Sequence, residues 1–300
     1  MTVVLFGAAG YLGRAAEAAL RDRGVRVVRV SRTGPRDDGS VRHDLVHGGT
    51  DELVALLRPI APDAVVNCTG LLDGTTAELV AANVTPTARL LDALPVAAPS
   101  ARLVALGSAA EYGPVSRGVP VAENAAANPV SGYGITKLAS TLLVRDAVVA
   151  GRVDGVVLRV FNPIGADLPA GTVLGRATDA IRAALRHSAT DITLGPLDSY
   201  RDFVDVTDVA NAIADAALAP EPSEPVLNVG SGRAIAVRDA VATLAEVAGF
   251  EGKILESAPV PSRSGAVDWI AADITRTRHV LGWSPHQDLI TSIRAVWKNA

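Results

Sequence analysis

Cysteine is almost missing from this chain: Cys68 is the only one in 300 residues. That excludes a disulfide framework, a cysteine-rich zinc site and a thiol redox pair. No apolar run reaches the roughly 18 residues that suggest a membrane span. The opening Met1-Thr2-Val3-Val4-Leu5 lacks a basic leader and reads as a strand, not as a signal peptide. Lysine is scarce, 3 against 25 arginines, so the place of each lysine carries information. An excess of either charge is also lacking. With 28 basic and 32 acidic residues the formal charge is −4, which implies no sequence-independent grip on nucleic acid. An anionic ligand must then be met by a few placed residues. A chain that is 49% hydrophobic and 20% charged can bury a large core, which excludes global disorder. The expectation is a soluble cytoplasmic protein with neither membrane nor nucleic acid as partner.

Short β-branched runs recur, each followed by an Ala/Leu-rich helical stretch. Strands are expected at 2–6, 25–30, 64–68, 102–106 and 155–160, and helices at 11–23, 51–57, 76–94 and 133–150. Apolar strands alternating with amphipathic helices imply a parallel sheet covered on both faces. After Phe161 the pattern blurs, and 162–165 reads as loop. A helix at 173–186, a strand near Ile192, a helix at 206–219 and a strand at 226–229 follow, with the Pro-rich 219–225 as a loop. The fold class is α/β: a doubly wound parallel sheet, with length enough for an appended lobe.

Three constellations carry chemistry. Gly7-Ala8-Ala9-Gly10-Tyr11-Leu12-Gly13 lies directly after the first strand and opens the first helix. Glycines there let the backbone turn tightly and approach a pyrophosphate, whose charge is met by helix N-terminal amides. At the end of the second strand, a cofactor without a 2′-phosphate is usually held by an acid, and a 2′-phosphate by an arginine. Ser31-Arg32 stands there, with no acid, so NADP(H) is expected over NAD(H). The third is Tyr133-Gly134-Ile135-Thr136-Lys137, with Ser108 ending an earlier strand. On a helix the i and i+4 side chains share a face, and a nearby ammonium favours phenolate. That gives a proton donor or acceptor usable near neutral pH.

Gly7/Gly10/Gly13, Ser108 and Tyr133/Lys137 together resemble the extended short-chain dehydrogenase/reductase family, the NAD-dependent epimerases, dehydratases and reductases of nucleotide sugars. The likeness runs nearly end to end and implies a Rossmann sheet domain over 1–161 and 202–230 with a smaller C-terminal substrate-binding lobe over 162–201 and 231–300. It implies a dinucleotide held by Gly7, Gly10, Tyr11, Leu12, Gly13, Ser31, Arg32, Asp44, Leu45, Cys68, Thr69, Gly70, Tyr133 and Lys137. Asp44 resembles the adenine-contacting acid after the third strand, and Asn67-Cys68-Thr69-Gly70 the segment beside the nicotinamide ribose. Asn83 resembles a helix Asn of these enzymes. The resemblance further implies catalysis by Ser108, Tyr133 and Lys137, and substrate contacts from Ser108, Glu111, Asn162, Arg201 and Arg263. The partner is then a nucleotide-diphosphate sugar, and a second copy of the chain joins through a four-helix bundle.

Around Ser108-Ala109-Ala110-Glu111-Tyr112-Gly113 the resemblance discriminates further. Sugar 4,6-dehydratases place an acid two or three residues before this Tyr, where Ala110 and Ala109 stand. GDP-fucose-making epimerase-reductases place a Cys where Ala110 stands. The motif is most similar to that of GDP-4-keto-6-deoxymannose-type 4-ketoreductases. Simple 4-epimerases, retaining NAD through a cycle, are the alternative. A non-enzymatic dinucleotide sensor would need no Ser108, Tyr133 and Lys137. Ala266 stands where many relatives carry a ribose-binding Asp, so the nucleotide base is left open. His43 and His47 flank Asp44, but without a third ligand they read as loop histidines. Asp205 and Asp208 read as loop or helix-capping acids, and Trp269 and Trp283 as core or interface aromatics.

Overall fold

The computed structural model describes residues 1–32, 40–220, 224–257 and 267–298. The first half alternates as expected: β1 (Thr2–Phe6), α1 (Tyr11–Asp22), β2 (Arg26–Ser31), β3 (Val41–Arg42), α2 (Thr50–Ile60), β4 (Ala64–Asn67), α3 (Thr76–Asn83), α4 (Thr85–Ala97), β5 (Arg102–Ser108), a 3-10 turn (Ala109–Glu111), α5 (Gly132–Val149) and β6 (Gly155–Val160). The second half adds β7 (Asn162–Ile164), α6 (Val173–His187), β8 (Asp191–Leu194), β9 (Tyr200–Asp205), α7 (Val206–Leu218), β10 (Val226–Val229), β11 (Ala234–Ala236), α8 (Val237–Ala248), β12 (Lys253–Glu256), α9 (Thr275–Leu281) and α10 (Leu289–Lys298).

Seven strands form one parallel sheet in the order β3-β2-β1-β4-β5-β6-β10. Alternation of side chains sends β1 to both faces. Val3 and Leu5 join a core with α1 and α7, while Val4 and Phe6 join one with α2, α4 and α5. This is why β1, β4 and β6 are apolar at nearly every position. On the second face Leu53 and Leu57 of α2 are fully buried, each contributing about 1.5–3 kcal/mol. Strand order reverses between β1 and β4, so their C-terminal ends open a crevice of the kind that receives ligands in such sheets.

The chain leaves the large sheet after β6, returns for α7 and β10, and leaves again. β7, β9 and β11 make a three-stranded sheet, and β8 pairs with β12. A separate core beneath them joins Leu174, Ile181, Phe203, Val241, Leu244 and Ile293. Because β9 belongs to this small sheet, the passage back to the large one falls after Asp205 rather than between 201 and 202.

Two expectations are corrected. The helix at 76–94 is two helices, broken at Val84, because Pro86 has no N–H to donate into the preceding turn. Segment 162–165 is not all loop: Asn162–Ile164 pairs with β9 through Phe203 to Asp205. His43 lies in the loop after β3 and is buried, which pulls its imidazole below the usual histidine value. Among the described residues no group of His, Cys, Asp and Glu could hold a metal. No helix there is long and apolar enough to cross a membrane.

Candidate active site and dinucleotide cradle

The β1–α1 turn is shaped by what its glycines leave out. Gly7 has φ 77, and a Cβ there would lie 2.8 Å from the Cys68 carbonyl at the end of β4. A Cβ on Gly13 would stand 2.0 Å from the Gly7 carbonyl oxygen, so the first turn of α1 lies flat on the loop. Gly10 is the N-cap and brings no side chain, and no acid occupies the first turn. The leading amides of α1, at Tyr11, Leu12 and Gly13, are therefore open to an anion. The Tyr11 phenol is buried with no hydrogen-bond partner among the described residues. Burial first, then Asp205 and Asp167, keeps it protonated far above the usual tyrosine value.

Pairing of Phe6 with Val30 sets Ser31 and Arg32 beside the glycine turn, with Arg32 exposed. Asp44 follows β3 and accepts from the amides of Val46 and His47 and from the His47 ring. Burial alone would raise its carboxyl, but those hydrogen bonds outweigh it and hold the group below the usual range. The Leu45 side chain is in the core. Across the crevice the Asn67 carboxamide accepts from the amide and hydroxyl of Thr69, fixing Cys68-Thr69-Gly70. Burial pushes the Cys68 thiol up to about 12, with Lys137 pulling the other way.

Ser108 ends β5 and caps the 3-10 turn, its Oγ accepting from the Ala110 amide at 3.2 Å. That bond uses an oxygen lone pair and leaves the hydroxyl proton to donate elsewhere. Tyr133 lies in the first turn of α5, behind a Ser131 cap that accepts from the Gly134 amide. A Cβ on Gly134 would stand 2.4 Å from the Ala110 carbonyl oxygen. The turn carrying Tyr133 thus sits directly on the turn carrying Ser108. Lys137, one helical turn on, is buried, and its ammonium has no hydrogen-bond acceptor among the described residues. Burial pulls it below the usual lysine value, opposed by Glu111 and then Cys68. Asn83 braces the floor, bonding Leu71 at both main-chain groups and the Thr136 hydroxyl.

Glu111 is the principal correction among the site residues. It is wholly buried, accepting from the Ser108 amide at 2.8 Å and the Arg159 Nε at 2.7 Å, so it offers no surface to a substrate. Arg159 was not picked out from the sequence. The signal for it is a charge inside the otherwise apolar Gly155–Val160 strand, since buried arginines require partners. Tyr112 and Asn228, joined at 2.6 Å behind the same strand, left no such signal.

On the substrate side Asn162 opens β7 and donates to the Asp202 carbonyl oxygen at 2.8 Å. Arg201, on β9, is buried; burial lowers its pKa and Asp268 opposes this. Asp202 accepts from the amides of Ser231, Gly232 and Ala272, and burial raises its carboxyl. Asp205 caps α7, and Asp208 accepts from the amides of His286 and Gln287. Trp283 is buried and Trp269 half-buried. Arg263 lies outside the described residues.

Uncapped helix, side-chain-free turn and buried ammonium suit a dinucleotide. Comparison with known proteins decides the family, because the NAD dependent epimerase/dehydratase family matches residues 3–230. The chain belongs to that family. It is 39% identical to a dTDP-6-deoxy-L-talose 4-dehydrogenase (NAD(P)(+)) of Kitasatospora kifunensis, over 98% of this chain and 94% of that one. A UDP-glucose 4-epimerase of Azospirillum brasilense is 31% identical over 97% and 89%. The structure of RMD from Pseudomonas aeruginosa complexed with NADPH superimposes with a TM-score of 0.84 at 26% identity, covering 99% and 98%. As a member of this family, the chain is an NAD(P)-dependent oxidoreductase.

Proposed function

We propose that this enzyme uses NADPH to reduce the C4 carbonyl of a nucleotide-diphosphate 4-keto-6-deoxyhexose. The observation that carries the reading is the chemistry at the end of β5. The turns that carry Ser108 and Tyr133 pack on each other there, and among the described residues of those turns no acid is free to eliminate water. Residues 109 and 110 are alanines, and Glu111 is held by Ser108 and Arg159. What remains is hydride transfer coupled to proton transfer. The dTDP-6-deoxy-L-talose 4-dehydrogenase relative acts in its name on this class of carbon, which makes a dTDP-linked 4-keto-6-deoxyhexose the first substrate to test.

In this reading the main-chain amides opening α1 bind the cofactor diphosphate, and Lys137 donates to the nicotinamide ribose. Bound nicotinamide supplies the hydride. Ser108 donates to the C4 oxygen as charge develops on it, and Tyr133 protonates that oxygen. Asn162, Arg201 and Arg263 bind the sugar diphosphate.

The experiment follows NADPH absorbance and product together. Stoichiometric NADPH oxidation with the 4-keto sugar supports the reductase. Conversion of a 4-hydroxy nucleotide sugar to its C4 epimer with catalytic NAD, and no net NADPH use, replaces it with the epimerase reading, which the 31% identical relative favours. A second copy of the chain packs in this reading against α3 and α5, where Val80, Ile135, Leu142 and Leu143 are exposed. Light scattering at micromolar concentration should give twice the chain mass; a monomer mass removes the four-helix interface.

A further inference from the structure

Behind the Ser108 turn lies a charged network that the proposed chemistry leaves unused. We propose that Glu111, paired with Arg159, is the positioning residue of the site: its carboxylate fixes the place of Ser108 and balances the charge around Lys137, without touching substrate. The proposal rests on the reading of Ser108, Tyr133 and Lys137 as the proton-handling group.

Geometry carries it. One Glu111 oxygen takes the Ser108 amide at 2.8 Å, the other takes the Arg159 Nε at 2.7 Å, and both side chains are buried. A Cβ on Gly107 would stand 2.6 Å from the Glu111 Oε1, so the carboxylate lies flush on the strand end that presents Ser108. Arg159 in turn stacks on the Tyr112 ring at 4.6 Å and donates to the Glu123 carbonyl oxygen. Buried ion pairs are weak contributors to stability, and an apolar pair often replaces them without loss. An ion pair at this place therefore points to a role in the site. Among the described residues, the charged or titratable groups that act on Lys137 are Glu111 of the 3-10 turn, with Arg159 of β6 behind it, and Cys68 after β4, while Tyr133 precedes it by one turn on its own helix. Cys68 stays a thiol at neutral pH, so Glu111 is the only carboxylate in that set.

Removing a nearby negative charge lowers every proton affinity in the Tyr133–Lys137 pair, and removing a positive one raises them. The pair can be followed without substrate, through phenolate absorbance with a Tyr133→Phe background subtracted. Glu111→Gln keeps an acceptor for the Ser108 amide but loses the charge. Its titration should move down by roughly 0.5–1.5 pH units, that of Arg159→Gln should move up by a similar amount, and the neutral double variant should return to within about 0.3 of the parent. Glu111→Asp keeps the charge but withdraws from Ser108. Its titration should stay in place while kcat with the 4-keto sugar falls at least ~10-fold at unchanged NADPH affinity, as expected for a misplaced transition-state donor.

A merely structural role would move neither titration, or both singles the same way, and either result overturns the proposal. So does Glu111→Asp at full kcat. If one single variant does not fold, the other single variant and the kcat of Glu111→Asp decide by the same limits. Should the parent turn over no 4-keto sugar, the function proposed above fails while the titrations still judge Glu111.

Discussion

The two walls of the crevice offer ligands different chemistry. The β1–α1 side presents main chain: Gly7, Gly10 and Gly13 remove side chains so that amides stand in the open. The β7–β9 side presents side chains, with Asn162 anchored on Asp202 and Arg201 buried near Asp268. Main-chain binding needs an absence at fixed spacing, and such an absence is visible in one dimension. Side-chain binding needs a charge aimed by residues far away in the chain, and the aiming is invisible until the chain folds.

Tyr133 opens α5 against the turn that carries Ser108, and its loss should have the largest effect. Tyr133→Phe keeps the ring and the packing of α5 on the Ser108 turn. It is expected to bind NADPH as the parent does and to lose ~10²–10⁴-fold in turnover, the scale of a general acid. Cofactor titration and single-turnover kinetics separate the two quantities. Near-parental turnover would place the proton donor elsewhere.

Next comes the main-chain wall itself. At Gly7 an alanine must adopt φ 77 and press its Cβ against the main chain of Cys68 and Thr69. The left-handed conformation alone costs about 1–2 kcal/mol, and the contact adds to it. Gly7→Ala should weaken NADPH binding on the order of 10²-fold, about 2.7 kcal/mol, measured by fluorescence titration. Parental affinity in a folded variant would contradict the close main-chain approach. On the other wall, Arg201→Met should raise KM for the nucleotide sugar by about 10- to 150-fold through lost charge-assisted hydrogen bonds of roughly 1.5–3 kcal/mol, with NADPH affinity unchanged. An unchanged KM would remove Arg201 from the diphosphate site.

The same contrast explains what was legible in the sequence. The large sheet was, because strands buried on both faces are continuous apolar runs, and β1, β6 and β10 fall where expected. The tight β1–α1 turn was legible because its glycine spacing dictates the close main-chain approach. The small lobe was legible only in part: α6 and β8 fall where expected, but β7, β9 and β11 are short strands of mixed polarity, and their burial depends on α8 and α10 closing over them. Glu111 shows the limit most clearly. The family resemblance implied a substrate contact for it, but the partner that turns it inward, Arg159, lies 48 residues away.

The finest test of the contrast is Arg32, a side-chain charge beside the glycine turn that would read a single phosphate. Ser31-Arg32 ends β2 where an acid would repel a 2′-phosphate, and Arg32 is exposed beside the glycine turn. A guanidinium on that phosphate adds charge-assisted bonds at the lower end of roughly 1.5–3 kcal/mol, since solvent screens an exposed pair. NADPH should therefore exceed NADH in kcat/KM by about 10-fold, and Arg32→Ala should erase most of the difference. Screening adds a second signature: the preference should shrink as salt shortens the Debye length from about 30 Å at 0.01 M to about 8 Å at 0.15 M. Both cofactors are compared at fixed substrate, for parent and variant, at the two ionic strengths. Equal kcat/KM values in the parent at low salt would leave cofactor choice to main-chain contacts alone. A cofactor held without regard to its phosphate state suits the retained NAD of an epimerase, so that outcome would move the 4-epimerase reading to first place.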